Sequence, residues 1–202
     1  MIRSFIAIDV PKEIKNKIAK IQMELQPILP KVSWVNPPNI HLTLKFLGDI
    51  ASNQIPSITG TIRHTVQNQV PFNMKLSSIS TFKNFSYPTI LWIGISTDPT
   101  PIVKLAKNIN LSLNCFGFPQ ESRKFTPHLT IARIRNNISL TKFSSHFDAY
   151  KNINHTPISV KQISLIKSKT TSKGAIYKKL QTIQFGIRQY QLPRKSKKLR
   201  CV

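Results

Sequence analysis

The chain has 202 residues and 23.0 kDa, enough for one ordinary domain or for two small lobes that share a core. Thirty Lys and Arg against seven Asp and Glu give a net charge of +23, yet only 18% of residues are charged, which excludes a disordered polyelectrolyte. Seven acids, nowhere clustered, are too few for carboxylate-built metal cages, Cys115 and Cys201 are too few for a disulfide framework or a zinc site, and no apolar run approaches a membrane span. Charge of one sign points to a polyanionic partner, nucleic acid first and an anionic membrane second. An AT-rich genome also inflates Lys, Asn and Ile, so charge supports RNA or DNA without proving it. The apolar N-terminus is too short for a signal peptide and is broken by Asp9. A soluble protein in the reducing cytoplasm is therefore expected.

Residues 4–10 read as a buried strand, followed by Pro11 at the first position of a helix. Ile14, Ile18, Ile21 and Leu25 supply its apolar stripe, and Pro27 and Pro30 end it. A short strand over 32–35 leads through Pro37 and Pro38 into a second over 40–47. Ser52 is placed to cap a helix carrying Ile55, Ile58, Ile62 and Val66, interrupted by Gly60. Strands are expected over 71–82 and 89–96, then a helix capped by Asp98 with Ile102, Leu105, Ile109 and Leu113 inward. A strand over 125–134, a short amphipathic helix over 140–150 and two long strands over 157–168 and 175–185 complete the order. Residues 187–202 are strongly basic with almost nothing to bury, which reads as a disordered tail on a single domain over 1–186. Without that tail 24 bases still face 7 acids, so the folded part is basic by itself.

The order strand, helix, strand-with-histidine over 5–47 recurs over 89–134 and suggests two related lobes across a groove. The histidine strands read Pro38-Asn39-Ile40-His41-Leu42-Thr43-Leu44 and Thr126-Pro127-His128-Leu129-Thr130-Ile131. Alternation puts His41 with Thr43 on one face and Leu42 with Leu44 on the other; His128 and Thr130 repeat the arrangement. Five histidines and 15 threonines would give about 0.4 His-x-Thr triplets by chance, and one such triplet is an ordinary half-exposed strand. Two in matching contexts point to function. His64, His146 and His155 lack the threonine and read as surface or core residues.

With these motifs the chain resembles the 2H phosphoesterases, specifically the RNA 2′,3′-cyclic phosphodiesterase branch (the bacterial and archaeal 2′-5′ RNA ligase-like group). The resemblance runs from Phe5-Ile6-Ala7-Ile8-Asp9 through Trp34-Val35 and His41 to Gly48, then Lys124 to Arg133, and on to Ser168, Gly174 and Tyr177. It implies an α+β fold of two pseudo-symmetric lobes, each an antiparallel sheet with helices on its outer face, facing across a central groove. It implies no cofactor and no metal. It places His41 on the leaving 3′ oxygen and His128 on the attacking water, giving a 2′-phosphate, with 2′-5′ joining as the reverse reaction. The basic tail has no place on the family pattern.

The chemistry needs such a pair. Opening a cyclic phosphodiester requires a proton taken from water on one side of phosphorus and one given to the leaving oxygen on the other. Imidazoles titrating near 6.5 supply one neutral and one charged ring near neutral pH. The hydroxyls of Thr43 and Thr130 are placed to stabilise the phosphoryl oxygens. Lys45 shares the His41 face by strict alternation and is a candidate phosphate contact. Arg133 falls on the wrong parity and reaches the site only through a bulge or a strand end. Trp34, Phe125 and Tyr177 are candidates for stacking a nucleobase, or for ordinary packing. The expected partner is RNA with a 2′,3′-cyclic phosphate end, tRNA fragments included, and the expected state a monomer. A non-catalytic RNA-binding protein and a 2H enzyme for small cyclic nucleotides or 2′-5′ oligonucleotides are the alternatives.

Overall fold

The computed structural model describes residues 1–29, 32–95, 98–134, 139–151, 153–172 and 174–186. The basic stretch read as a tail, 187–202 with Cys201, lies outside them. In chain order the elements are β1 (Ile2–Asp9), α1 (Lys12–Leu25), β2 (Ser33–Trp34), β3 (His41–Ile50), α2 (Ile55–Val66), β4 (Phe72–Thr81) and β5 (Ile90–Ile95). There follow α3 (Thr100–Asn114), β6 (His128–Arg133), α4 (Ser144–Asp148), β7 (Asn154–Val160), β8 (Gln162–Thr171) and β9 (Gly174–Gln184). They build two antiparallel sheets, in the orders β3-β1-β8-β9 and β2-β6-β5-β4-β7. The pair β3-β1 in one sheet therefore corresponds to β6-β5 in the other, as the duplicated sequence predicts.

The connecting helices lock the two halves together. In α1, Ile14, Ile18, Ile21 and Leu25 are buried; in α3, Ile102, Ala106, Ile109 and Leu113 lie 88 residues further on at the same spacings. Gln22 and Asn110 follow Ile21 and Ile109 and are equivalent by the same count. Gln22 Nε2 donates to the carbonyls of Val35 and Ile131, at 2.8 and 2.9 Å, so α1 is bonded to β6 of the opposite sheet. Asn110 Oδ1 accepts from Lys45 Nζ at 2.6 Å, bonding α3 to β3. Each helix thus leaves one sheet and is held by the histidine strand of the other. One continuous apolar core runs from Ile6 and Ile8 through Leu42, Leu44, Leu129 and Ile131 to Ile163 and Leu165.

Several sequence expectations need correction. The strand expected over 157–168 is two strands in different sheets, since β7 pairs with β4 and β8 with β1. The phase of the buried residues slips between Val160 and Ile163, and the chain crosses there at Lys161. The strand expected from Phe125 begins only at His128, after Pro127, which has no N–H for a ladder. The helix expected over 140–150 is a 3₁₀ turn, Thr141–Phe143, followed by the five residues of α4. Ser52 lies in a 3₁₀ turn, where the Ala51 N–H is satisfied by Gln54 Oε1 at 2.8 Å. The N-cap of α3 is Pro99 and not Asp98, which lies one residue earlier and accepts the Thr100 N–H at 2.9 Å. At the β8–β9 turn Gly174 has φ +113°, a conformation side-chain-bearing residues rarely adopt.

Candidate active site

β3 and β6 each begin with a histidine, the first just after the 3₁₀ turn Pro37–Asn39 and Ile40, the second directly after Pro127. The carbonyls two residues upstream take no part in the sheet ladder and accept the rings' Nδ1–H. Asn39 O lies 2.6 Å from His41 Nδ1, and Thr126 O lies 2.7 Å from His128 Nδ1. With Nδ1 carrying the proton, Nε2 is the working nitrogen on both rings. His41 Nε2 then accepts the hydroxyl of Thr43 at 3.0 Å.

Aromatic walls hold the rings. Phe5 stacks on His41 with centroids 4.6 Å apart, and Tyr177 meets its edge at 5.3 Å. Phe82 meets His128 edge-on at 4.7 Å, and Trp92 stands 6.0 Å away. Gly94 makes room for that indole, because a Cβ there would meet its ring at 3.1 Å. Burial is the main influence on both imidazoles and pushes their pKa values below the ordinary 6.5. The upstream carbonyls oppose this, favouring the charged rings. Lys15 and His128 further disfavour a charge on His41, whereas Asp9 favours it; Arg133 disfavours a charge on His128. A charge on His128 is thus felt at His41.

A matched pair of β-bulges decides which other side chains reach this face. Thr43 is opposite Ala7 and Lys45 opposite Ile6, so Leu44 is an extra residue; Thr130 is opposite Trp92 and Ala132 opposite Leu91, so Ile131 is extra. His41–Phe46 and His128–Arg133 consequently share one pattern of exposure, with the last residue turned back to the histidine face. Arg133 is turned to the histidine face by this bulge, and its charge is felt at His128. Lys45 does not reach that face. The bulge turns it into the core, only 1% exposed, where Nζ donates to Asn110 Oδ1 and, at 2.9 Å, to Pro119 O. Strict alternation fails for Lys45 because β1 has one residue fewer across that stretch. Phe46 takes the place expected for it, 62% exposed, with its ring 6.0 Å from that of Phe5.

Thr43 and Thr130 lie half-buried on the histidine face, as the sequence expects, and Tyr177 joins Phe5 beside His41. Trp34 and Phe125 pack instead against the main core. His64 and His146 are exposed, and the side chain of His155 lies outside the described residues. Sequence reasoning missed Phe46, Phe82 and Trp92. It also missed a cluster beside His41, where Asp9 Oδ1 and Oδ2 each lie 2.7 Å from an ammonium, Lys15 Nζ and Lys179 Nζ. Burial raises the Asp9 pKa, but the two lysines outweigh it and hold the carboxyl below its ordinary range. These groups wall a cleft of about 160 Å³ with His41 and Tyr177. Among the described residues no three His, Cys, Asp or Glu side chains come together as a metal site, and no helix is long and apolar enough to cross a membrane.

The LigT-like phosphoesterase family model matches the chain twice, over residues 8–92 and 93–177, one match for each half. The RNA 2′,3′-cyclic phosphodiesterase of Methanocaldococcus jannaschii is 34% identical over 175 residues, 87% of this chain and 96% of that one. The protein of the same name from Aquifex aeolicus is 30% identical over 188 residues, 92% of this chain and 98% of its own. Among solved structures, E. coli LigT complexed with 3′-AMP superposes with a TM-score of 0.75 at 22% identity, covering 91% of this chain and 98% of that one. TT0787 of Thermus thermophilus superposes at 0.73 and 20% identity, covering 93% and 100%; at such identities both speak for the fold. On the double match of the family model and on these relatives, the chain belongs to the LigT-like phosphoesterases.

Proposed function

We propose that the chain opens 2′,3′-cyclic phosphate ends of RNA to 2′-phosphomonoesters. The relatives' names supply the substrate class, and one observation carries the mechanism: two equivalent imidazoles, each with Nδ1–H fixed on its own backbone. His128, neutral, takes a proton from water through Nε2 as the water oxygen bonds to phosphorus. The P–O3′ bond breaks on the opposite side, and protonated His41 supplies the proton that leaves O3′ as a hydroxyl. Atoms and charge balance with one water consumed. An anionic phosphate between the rings favours the protonated state of one of them, offsetting the effect of burial. Thr43, Thr130 and Arg133 stabilise the phosphoryl oxygens, Arg133 as a charged donor. The exposed ring of Phe46, with Tyr177, offers a face for the terminal base.

The net charge of +23 supports a long polyanion as the partner, tRNA fragments included. One chain already supplies both histidines, which fits a monomer, and the composition fits the cytoplasm. The test is an RNA ending in a 2′,3′-cyclic phosphate, incubated with the protein in EDTA and read for the phosphate isomer formed. The expected product is the 2′-phosphate. Binding without turnover would favour an RNA-binding protein, and activity only on adding a divalent ion would sink the two-histidine mechanism.

A further inference from the structure

Among the described residues the cluster of Asp9, Lys15 and Lys179 has no counterpart in the other lobe. Asp9 is paired in register with His41, and the residue paired with His128 is Gly94. The duplicated frame therefore stands without a carboxylate there. Two ammonium groups share the one carboxylate, so the cluster carries a net positive charge at the wall of the histidine groove. Its donors are not used up. Lys15 Nζ donates to Asp9 and, at 2.9 Å, to Pro38 O, which leaves one of its three N–H groups. Lys179 Nζ, half-exposed, meets only Asp9 among the described residues, which leaves two. Residues 166, 177 and 179 share the cleft, all on the face of the sheet that carries His41.

We infer that this cleft holds a second phosphate of the RNA, the phosphodiester on the 5′ side of the terminal nucleotide; the inference rests on the function proposed above. When the cyclic phosphate lies between His41 and His128, the next phosphate of the chain is one ribose away. The cleft shares His41 as a wall with that groove and offers unspent cationic donors beside it. A phosphodiester monoanion matches the single net charge left by Asp9. The site makes the enzyme a reader of chain ends rather than of isolated nucleotides, since a nucleoside cyclic phosphate has nothing to place there.

The test compares kcat/KM for three substrates with the same terminal nucleoside 2′,3′-cyclic phosphate. One is the nucleoside alone, one a dinucleotide with a natural phosphodiester, and one a dinucleotide with an uncharged methylphosphonate link. The wild-type protein is expected to prefer the natural dinucleotide over the nucleoside about tenfold, the worth of a charge-assisted contact. The methylphosphonate should lose that preference, and the dinucleotide's extra salt dependence should be a log–log slope of about −0.7 per contact. Lys179→Met should bring the dinucleotide-to-nucleoside ratio near one, and Lys179→Arg should keep it. A wild-type ratio near one, a methylphosphonate as good as the phosphodiester, or an unchanged ratio in Lys179→Met would overturn the inference while leaving the functional reading intact. Failure of the wild-type protein to open any of the three would remove the reading and the inference together. The methylphosphonate comparison needs no variant, so it does not depend on how Lys179→Met folds.

Discussion

Phe46 and Arg133 hold the same place in the two lobes. Each lies five residues past its histidine and is turned onto the histidine face by the same bulge, yet one is an aromatic ring and the other a cation. The two-fold frame thus offers one end of a substrate an apolar face and the other end a charge. Phe46→Ala is expected to raise KM for a nucleoside cyclic phosphate roughly 5- to 150-fold, the range of a lost base stack, while a ribose cyclic phosphate without a base changes little. Arg133→Met is expected to lower kcat/KM about 10- to 100-fold on both substrates. Equal effects of Phe46→Ala on both substrates would show that its ring serves the fold and not the base.

His41→Ala and His128→Ala should each lower turnover by about 10²- to 10⁴-fold, with near-native melting temperatures. Their combined effect should fall far short of the product, because acid and base serve one transition state. Near-normal turnover in either single variant would remove that residue from the mechanism.

The pH profile of kcat/KM should be bell-shaped, since one ring must be charged and the other neutral. Burial, the leading influence on both, lowers both pKa values, so the neutral rings dominate earlier as pH rises. The maximum is therefore expected on the acid side of 6.5, with limbs that belong to the coupled pair. Arg133 disfavours the charged form of His128, so Arg133→Met should move the profile toward alkaline pH. Asp9 favours the charged form of His41, so Asp9→Asn should move it the other way. A profile flat from about pH 5 to 9 would exclude paired histidines as the proton carriers.

Lys45→Met separates the two readings of that lysine. Itself buried and bonded to Asn110 and Pro119, it braces β3 against α3, and its loss removes two part-buried hydrogen bonds from a cation. The expected cost is about 1–3 kcal/mol, a fall in Tm of roughly 2–12 °C, with KM within about twofold of wild type. A KM raised more than about tenfold at unchanged Tm would return Lys45 to the phosphate.

What the sequence determined is whatever depends on local period and on repetition. The stripes of α1 and α3, the two His-x-Thr strands and their common order identify the duplicated lobes, because residues i and i+2 of any strand share a face. Tertiary structure decided wherever a second strand sets the count. Arg133 turns to the histidine face, Lys45 leaves it and Phe46 replaces it because, across the stretch next to each histidine, β5 and β1 run one residue short of their partners, which no reading of β6 or β3 alone can show. The convergence of Asp9, Lys15 and Lys179 likewise depends on β9 returning to the sheet that β1 began, after the chain crosses between sheets at Lys161. Parity is a property of one strand, and register is a property of two.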